Sequence, residues 1–262
     1  SGKGANINVP LPPGSGHDAY VGTFERVVAP ALRRFKPEMI VIASGFDASI
    51  YDPLGRMMVT STAYRKMTRI MLELADEMTG GKLHFAHVST GEAVDVIRKA
   101  KARGLNITCD TAPPYFALND QSVGDYRTFA KLSPPLRSEA DRLAIVEGLK
   151  DGTIDLIASD HTPQDADSKR LPFTQAESGG VGLETLLAVS LDLYHNGEMT
   201  LLETLAKITH VPAELLKLPA GKLAKGAAAD LMLFDPERGW QVKDTDLASK
   251  AKNTPFDLRL VQ

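Results

Sequence analysis

The sequence has little of several features that would identify a function at once. It has a single cysteine, Cys109, among 262 residues, so neither an internal disulfide nor a cysteine-rich zinc site can form. No apolar run reaches the roughly 20 residues that a membrane-spanning helix needs. The net charge of −3 leaves no excess of basic residues for nucleic acid. These absences argue against a disulfide scaffold, a membrane span and nucleic-acid binding, and they favour a cytoplasmic protein.

Common catalytic motifs are missing as well. The chain has no G-x-S-x-G nucleophile elbow, no phosphate-binding Walker loop and no H-E-x-x-H zinc helix. The opening residues, SGKGANINVPLPPGSG, lack the apolar core of an export signal, and their Gly/Pro content is typical of a loop. The rest has the composition of a globular protein, with 43% hydrophobic and 24% charged residues.

From residue 37 onward, short β-branched apolar runs alternate with amphipathic helical patterns. The runs predict four buried strands, at residues 39–48, 82–88, 106–112 and 153–161. Four such βα units predict an α/β fold with a mostly parallel sheet and right-handed crossovers. The stretch GAAADLMLFDPERGWQV near the C-terminus predicts two short β segments that close a small sheet.

Several helix starts carry capping patterns, in which a hydroxyl side chain precedes an acidic residue by three positions. These pairs are Ser89 with Glu92, Ser138 with Asp141, and Thr200 with Glu203. The pattern predicts that the first helix buries Val94 and Ile97.

Polar residues end the predicted strands, where parallel sheets place their chemistry. They are Asp47, His87, Asp110 and the pair Asp160-His161. Asp47 and His87 could each bind a metal or serve as structural hydrogen-bonding residues. Asp160 could bind a metal and accept a proton from a metal-bound water, or it could form an Asx turn.

His84 lies three residues before His87, so strand alternation predicts that the two side chains lie on opposite faces and do not bind one ion together.

Two loops are candidates for substrate binding. The stretch SGGVGLET contains Gly180 and Gly182 before a helix, so it could bind an anion through backbone N–H groups or act as a flexible loop. The stretch SPPLR places Arg137 after two prolines, where it could contact a substrate carboxylate or lie solvated on the surface. The residues alone therefore indicate metal-assisted hydrolysis and do not identify its substrate.

Residues from about 2 to 82 resemble the histone deacetylase-like zinc hydrolases, the group that contains acetylpolyamine and acetoin-utilisation proteins. The resemblance lies in NINVPLPPGSG, FERVVAP, RFKPEMIVIASGFDA and DPLGRMMVTSTAYRKMT. It implies an arginase/deacetylase-like partial fold in which Asp47 is a zinc ligand. The paired catalytic histidines of that family would lie upstream of this segment.

Residues from about 83 to 262 resemble the C-terminal part of dihydroorotases, in the amidohydrolase superfamily. The resemblance lies in LHFAHVSTGEAV, TCDTAPPYFAL, KLSPPLRSEADR, GTIDLIASDHTPQD, GGVGLETLL and KNTPFD. It implies a partial TIM-barrel-like half and the hydrolysis or formation of a cyclic amide in pyrimidine synthesis. By this resemblance His87 is a zinc ligand, and Asp160 is a ligand that also acts as the general base.

Some positions depart from the dihydroorotase pattern. Pro114 stands where the family usually has a zinc-binding histidine, Ser133 replaces a substrate-contacting asparagine, and Gln164 replaces the last histidine of a DHAPH motif. The family's His-x-His pair and its bridging lysine or aspartate would lie upstream. Such losses resemble those of noncatalytic dihydroorotase-like proteins, some of which are partners of aspartate transcarbamoylase.

The sequence thus predicts three parts: a deacetylase-like α/β fragment at 1–82, a dihydroorotase-like partial barrel at 83–225 and a C-terminal β segment at 226–262. We expect a dihydroorotase-like amidohydrolase that is inactive or incomplete as it stands, with zinc as its implied metal and a small-molecule substrate if it is active. The alternatives are a noncatalytic partner of aspartate transcarbamoylase, a zinc-dependent deacetylase-like hydrolase, and an artefactual or engineered fusion without activity.

Overall fold

A computed structural model of the chain describes residues 6–37, 40–42, 48–51, 56–79 and 82–262. These residues belong to two compact units, Ser1–Leu83 and His84–Gln262. Most of the strand predicted at 39–48 lies outside the described residues, and so does Asp47.

The first unit is helical in its described part. Its helices are α1 (His17–Thr23), a π-helical turn (Phe24–Val28), α2 (Ala29–Phe35) and α3 (Ser61–Thr79). The stretch TAYRKMTRIMLELADEM, residues 62–78, has the apolar spacing of an amphipathic helix, and helix α3 extends one residue beyond it at each end. It buries one face at a spacing of three and four residues, as an amphipathic helix should, through Ala63, Met67, Met71 and Leu74.

The second unit contains a sheet in the order β1 (Leu83–Phe85), β2 (Ile107–Thr111) and β3 (Leu156–Ile157). Strands β2 and β3 are parallel, with Asp110 opposite Leu156. Strands in parallel register that alternate with helices confirm the predicted α/β class, although the described strands do not close into a barrel.

Short helices follow the strands of the second unit. They are α4 (Gly91–Ala102), α5 (Pro113–Ala117), α6 (Glu139–Lys150), α7 (Ala166–Arg170), α8 (Leu186–Ser190), α9 (Asp192–His195), α10 (Leu201–Ile208) and α11 (His210–Leu215). The predicted caps at Ser138 and Thr200 are confirmed, and the second is a reciprocal capping box with Glu203.

The predicted cap of helix α4 is wrong by one residue. The N-cap is Thr90, whose hydroxyl accepts a hydrogen bond from Ala93 N at 3.2 Å, while Ser89 lies one position before it. The side chain of Asp141 in helix α6 adds a second cap by accepting from Gly91 N at 2.9 Å. Two acceptors from different parts of the chain therefore satisfy the first N–H groups of α4.

Cys109 lies in strand β2 with no solvent exposure. Its Sγ donates to the carbonyl oxygen of Thr153 at 3.2 Å, and burial raises the pKa of the thiol to about 12. The thiol is therefore protonated at neutral pH.

The C-terminal sheet differs from the prediction, because it pairs two segments that are distant in the sequence. Strand β4 (Trp240–Gln241) is antiparallel to β5 (Leu260–Val261), whereas the pattern predicts both segments before residue 243. Leu231, Met232 and Leu233 are instead exposed. None of the described helices is long and apolar enough to cross a membrane.

Candidate active site

The carboxylate of Asp110 is the centre of the candidate site. Asp110 is the second-to-last residue of strand β2 and is buried, and its carboxylate contacts two imidazole rings. His84 Nε2 lies 2.8 Å from its Oδ2, and His87 Nδ1 lies 3.1 Å from its Oδ1. The backbone N–H of His87 also donates to Oδ1, at 2.7 Å. One buried acid therefore orients both histidines.

Both histidines contact Asp110 because strand β1 is shorter than the sequence predicts. It ends at Phe85, and His87 adopts a left-handed backbone conformation with φ of 57°. Strand alternation therefore stops before His87, and the turn places both rings at Asp110. The prediction that the two rings lie apart is wrong for this reason.

Asp160 faces the other side of the His87 ring. His87 Nε2 lies 3.7 Å from Asp160 Oδ1, and Asp160 also has a positive φ, of 46°. The hydroxyl of Tyr115 lies 2.9 Å from Asp160 Oδ2 and 3.1 Å from the carbonyl oxygen of Pro134, so its one proton is shared between two acceptors. A continuous polar network thus runs from His84 to Tyr115.

Burial and hydrogen bonding set the charges in this network. Burial raises the pKa of Asp110, but hydrogen bonds from His84 and His87 outweigh this effect and lower the pKa to about 2. The hydrogen bond to Asp110 raises the pKa of His87. Burial raises the pKa of Asp160 and takes the pKa of Tyr115 far above its ordinary value. The site therefore keeps Asp110 anionic at neutral pH, and Asp110 in turn stabilises the protonated form of His87.

The loop that contains Gly180 and Gly182 packs against the residues that follow strand β3. Gly180 N donates to Thr162 Oγ1 at 3.2 Å, and Gly182 N donates to His161 Nδ1 at 3.3 Å. A side chain at Gly182 would overlap the carbonyl oxygen of Ser159, so this close approach requires glycine. Both N–H groups are already satisfied by protein acceptors, and the loop presents neither of them to an anion.

Arg137 lies on the exposed loop before helix α6. Among the residues that the structure describes, its guanidinium forms no ion pair. The predicted residues His87 and Asp160 are thus brought together, while Asp47 lies outside the described residues. Sequence reasoning assigns no role to Asp110 or Tyr115, although Asp110 ends a predicted strand.

The site supplies few atoms to a metal. His84 contacts Thr108 through Nδ1 and Asp110 through Nε2, and His87 contacts Asp110 through Nδ1. Tyr115 contacts one oxygen of Asp160, so His87 Nε2 and Asp160 Oδ1 remain. Their 3.7 Å separation is close to the roughly 3.4 Å between two ligands on a tetrahedral zinc. Within the described ranges, however, no group of three or more metal-binding side chains is present. These residues therefore do not fit a catalytic zinc site, which takes three protein ligands.

The described part of the second unit includes two cavities whose linings do not contain His87 or Asp160. One of about 290 Å³ lies beside helix α5, and one of about 650 Å³ lies between helix α8 and residues 233–240. Within the candidate site, His87 is the more exposed member of the His87–Asp160 pair.

Comparison with known families defines the class of protein. The profile of the Amidohydrolase family matches residues 55–258, well over half of the chain, and the chain belongs to this family. The profile of the Histone deacetylase domain matches residues 1–90. Residues 55–90 fall within both matches, so the amidohydrolase match begins upstream of the boundary predicted at 82/83.

The curated relatives of this chain include several dihydroorotases. The chain is 45% identical over 216 residues to dihydroorotase of Wolbachia sp. subsp. Drosophila simulans, which covers 82% of this chain and 49% of the relative. It is 49% identical over 180 residues to dihydroorotase of Trichlorobacter lovleyi, covering 69% of this chain and 42% of the relative. The chain thus spans about half the length of the curated relatives it matches.

Solved structures agree on the fold. The L-hydantoinase (dihydropyrimidinase) from Arthrobacter aurescens matches with a TM-score of 0.70 and 26% identity, over 89% of this chain and 51% of that one. D-hydantoinase from Bacillus sp. AR9 matches with a TM-score of 0.64 and 26% identity, over 77% of this chain and 46% of that one. The mixed α/β architecture with parallel strands is therefore that of amidohydrolases.

Proposed function

We propose that the chain is a dihydroorotase-like amidohydrolase that recognises a small cyclic amide and, as it stands, does not hydrolyse it. The observation that carries the proposal is the donor set of the candidate site. His87 Nε2 and Asp160 Oδ1 form a pair at 3.7 Å, and no third metal-binding side chain joins them among the described residues. The dihydroorotase relatives support the substrate class.

The absence of a third ligand matters because two protein ligands do not hold and activate a catalytic zinc. Pro114, where the dihydroorotase pattern usually has a histidine, is buried in helix α5 and has no side-chain donor. The adjacent Tyr115 directs its hydroxyl to Asp160, so the polar contact on that side of Asp160 comes from a phenol. The group that would accept a proton from a metal-bound water is therefore already hydrogen-bonded within the protein.

The same pair is suited to binding without a metal. A protonated His87 is a donor for a ring carbonyl, and the carboxylate of Asp160 is an acceptor for the neighbouring N–H. Charged partners make both hydrogen bonds stronger than neutral ones. Arg137, an exposed cation on the loop before helix α6, would bind a substrate carboxylate.

A noncatalytic role beside aspartate transcarbamoylase is the second candidate. It is favoured by Pro114 and by Gln164, whose side chain donates to the carbonyl oxygen of Ser178 at 2.9 Å, a contact within the protein rather than with a substrate. In this role the chain would bind its partner through a folded scaffold and would require no turnover. Co-elution of the two purified proteins on a sizing column tests this role.

The experiment for the main proposal combines metal analysis with a hydrolysis assay. We expect the purified chain, dialysed against zinc and then against buffer, to retain far less than one zinc per chain and to show no hydrolysis of dihydroorotate. Binding of dihydroorotate should be detectable by calorimetry and should weaken in Asp160→Asn but not in Asp165→Asn, which changes a carboxylate that caps helix α7. About one zinc per chain, lost in Asp160→Asn and accompanied by hydrolysis, would overturn the proposal.

A further inference from the structure

The cavity of about 290 Å³ beside helix α5 is lined by four charged groups of balanced sign. Two are cations, Arg142 and Arg259, and two are anions, Asp192 and Glu198. Their charges sum to zero, so the cavity as a whole favours neither an anion nor a cation. A neutral molecule that carries both charges can satisfy both kinds of group at once.

The charged side chains are held by hydrogen bonds, but some of their donors and acceptors have no partner among the described residues. Arg259 Nη2 donates to Asp192 Oδ2 at 2.8 Å, and Lys150 Nζ donates to Glu198 Oε2 at 2.8 Å. No described residue donates to the second oxygen of Asp192 or of Glu198. A guanidinium has five N–H groups, and those of Arg259 make two hydrogen bonds within the described part of the chain. Acceptors for an ammonium and donors for a carboxylate therefore remain among the lining residues.

Apart from Asn196, the other lining side chains are apolar. Phe116, Val146 and Leu193 are almost fully buried, and Leu143 is half-exposed at the edge. Such a surface accepts a short aliphatic side chain and gives no partner to a second charged group. The volume lies at the lower end of ligand pockets, so it holds a molecule the size of a single amino acid and is small for a nucleotide.

We propose that this cavity binds an α-amino acid with an aliphatic side chain. The ammonium group binds Asp192 and Glu198, the carboxylate binds Arg259, and the side chain lies against Phe116 and Val146. This site is separate from the His87–Asp160 pair, and the proposal does not depend on the proposed function.

The cavity is lined in part by Phe116 and Ala117, the last two residues of helix α5, which also carries Tyr115. Arg142 Nη1 donates to the carbonyl oxygen of Phe116 at 2.8 Å, and Arg259 Nη1 donates to that of Ala117 at 3.2 Å. Both arginines therefore hold the last residues of helix α5, next to Tyr115. An amino acid bound to Arg259 contacts the same side chain that fixes this helix end.

Calorimetric titration of the full chain with L-leucine tests the proposal. We expect one leucine per chain and at least tenfold weaker binding of isovalerate and of isoamylamine, which carry the same side chain with only one of the two charges. Glu198→Gln should weaken leucine binding at least tenfold. Glu147→Gln is the matched control, because Glu147 also pairs with Lys150 but does not line the cavity.

Two results would overturn the proposal. One is the absence of leucine binding to a folded chain, which would leave these charges as a surface ion-pair network only. The other is isovalerate binding as tightly as leucine, which would make the cavity an anion site. Asp192→Asn provides a second variant, and loss of leucine binding in both variants while both remain folded would support the proposed contacts.

Discussion

The hydroxyl of Tyr115 lies 2.9 Å from Asp160 Oδ2, and both side chains are nearly closed to solvent. Tyr115 comes from helix α5 and Asp160 from the end of strand β3, so this contact links two elements 45 residues apart in sequence. A buried carboxylate oxygen without a donor is costly, and the phenol prevents that cost.

Replacing Tyr115 with phenylalanine should therefore destabilise the chain. The ring still fills its space, but Asp160 loses its donor, so we expect the free energy of unfolding to fall by about 1–3 kcal/mol. Urea denaturation measures the change. Tyr126→Phe, at an exposed tyrosine, is the control and should stay within about 0.5 kcal/mol of the parent. Equal effects of the two substitutions would contradict the assigned contact.

Asp110 predicts how stability changes in acid. Its folded pKa, about 2, is below the ordinary value of 3.8, so its contribution is present above about pH 4 and is lost as the pH falls through 2. The shift corresponds to about 2 kcal/mol. Asp110→Asn should be less stable than the parent at pH 6, and this difference should shrink toward pH 2 in urea titrations.

Glu139→Gln is the control for the acid titration. Glu139 also has a pKa lowered to about 2, through its hydrogen bonds to Arg142 and Asn119, but it is exposed, so solvent screens the interaction. Its variant should track the parent across the same pH range. A difference between Asp110→Asn and the parent that does not change with pH would contradict the role given to Asp110.

A histidine at position 114 should increase zinc affinity. Pro114→His adds an imidazole to the helix that carries Tyr115, and with His87 and Asp160 it would bring the number of available ligands to three. We expect at least a tenfold gain, measured by competition with a chromophoric chelator. The gain should disappear in the double variant with Asp160→Ala. If it persisted there, the added histidine would bind zinc at some other place.

The start of helix α4 provides a direct test of the cap. Thr90→Ala removes the acceptor for Ala93 N and should cost about 1 kcal/mol in thermal or urea unfolding. Ser89→Ala, at the position that the sequence pattern favours, should cost less. A larger loss of stability in Ser89→Ala than in Thr90→Ala would instead support Ser89 as the N-cap.

The sequence predicts the elements of this fold better than it predicts their ends. Helix α3 and the capping box at Thr200 follow directly from periodicity and local hydrogen bonding, which depend on residues close in sequence. Strand β1 is shorter than its apolar run because His87 turns into a left-handed conformation. That turn is stabilised by Asp110, 23 residues later, which no local pattern reveals.

The candidate site is partly predictable for the same reason. Strand ends indicate His87 and Asp160, since parallel strands place polar residues at one edge. The contacts of Asp110 with both histidines, and of Tyr115 with Asp160, depend on packing between β1, β2, α5 and β3. Residues that orient other residues carry no motif of their own, so sequence alone does not assign them.

The reactivity of the buried Cys109 thiol can be used to measure local opening of the protein around strand β2. A disulfide reagent added to the folded protein meets no accessible thiolate, because the group is enclosed and protonated at neutral pH. Modification must wait until strand β2 separates from its surroundings. The rate of thiol labelling therefore measures the frequency with which strand β2 opens, and no engineered probe is needed.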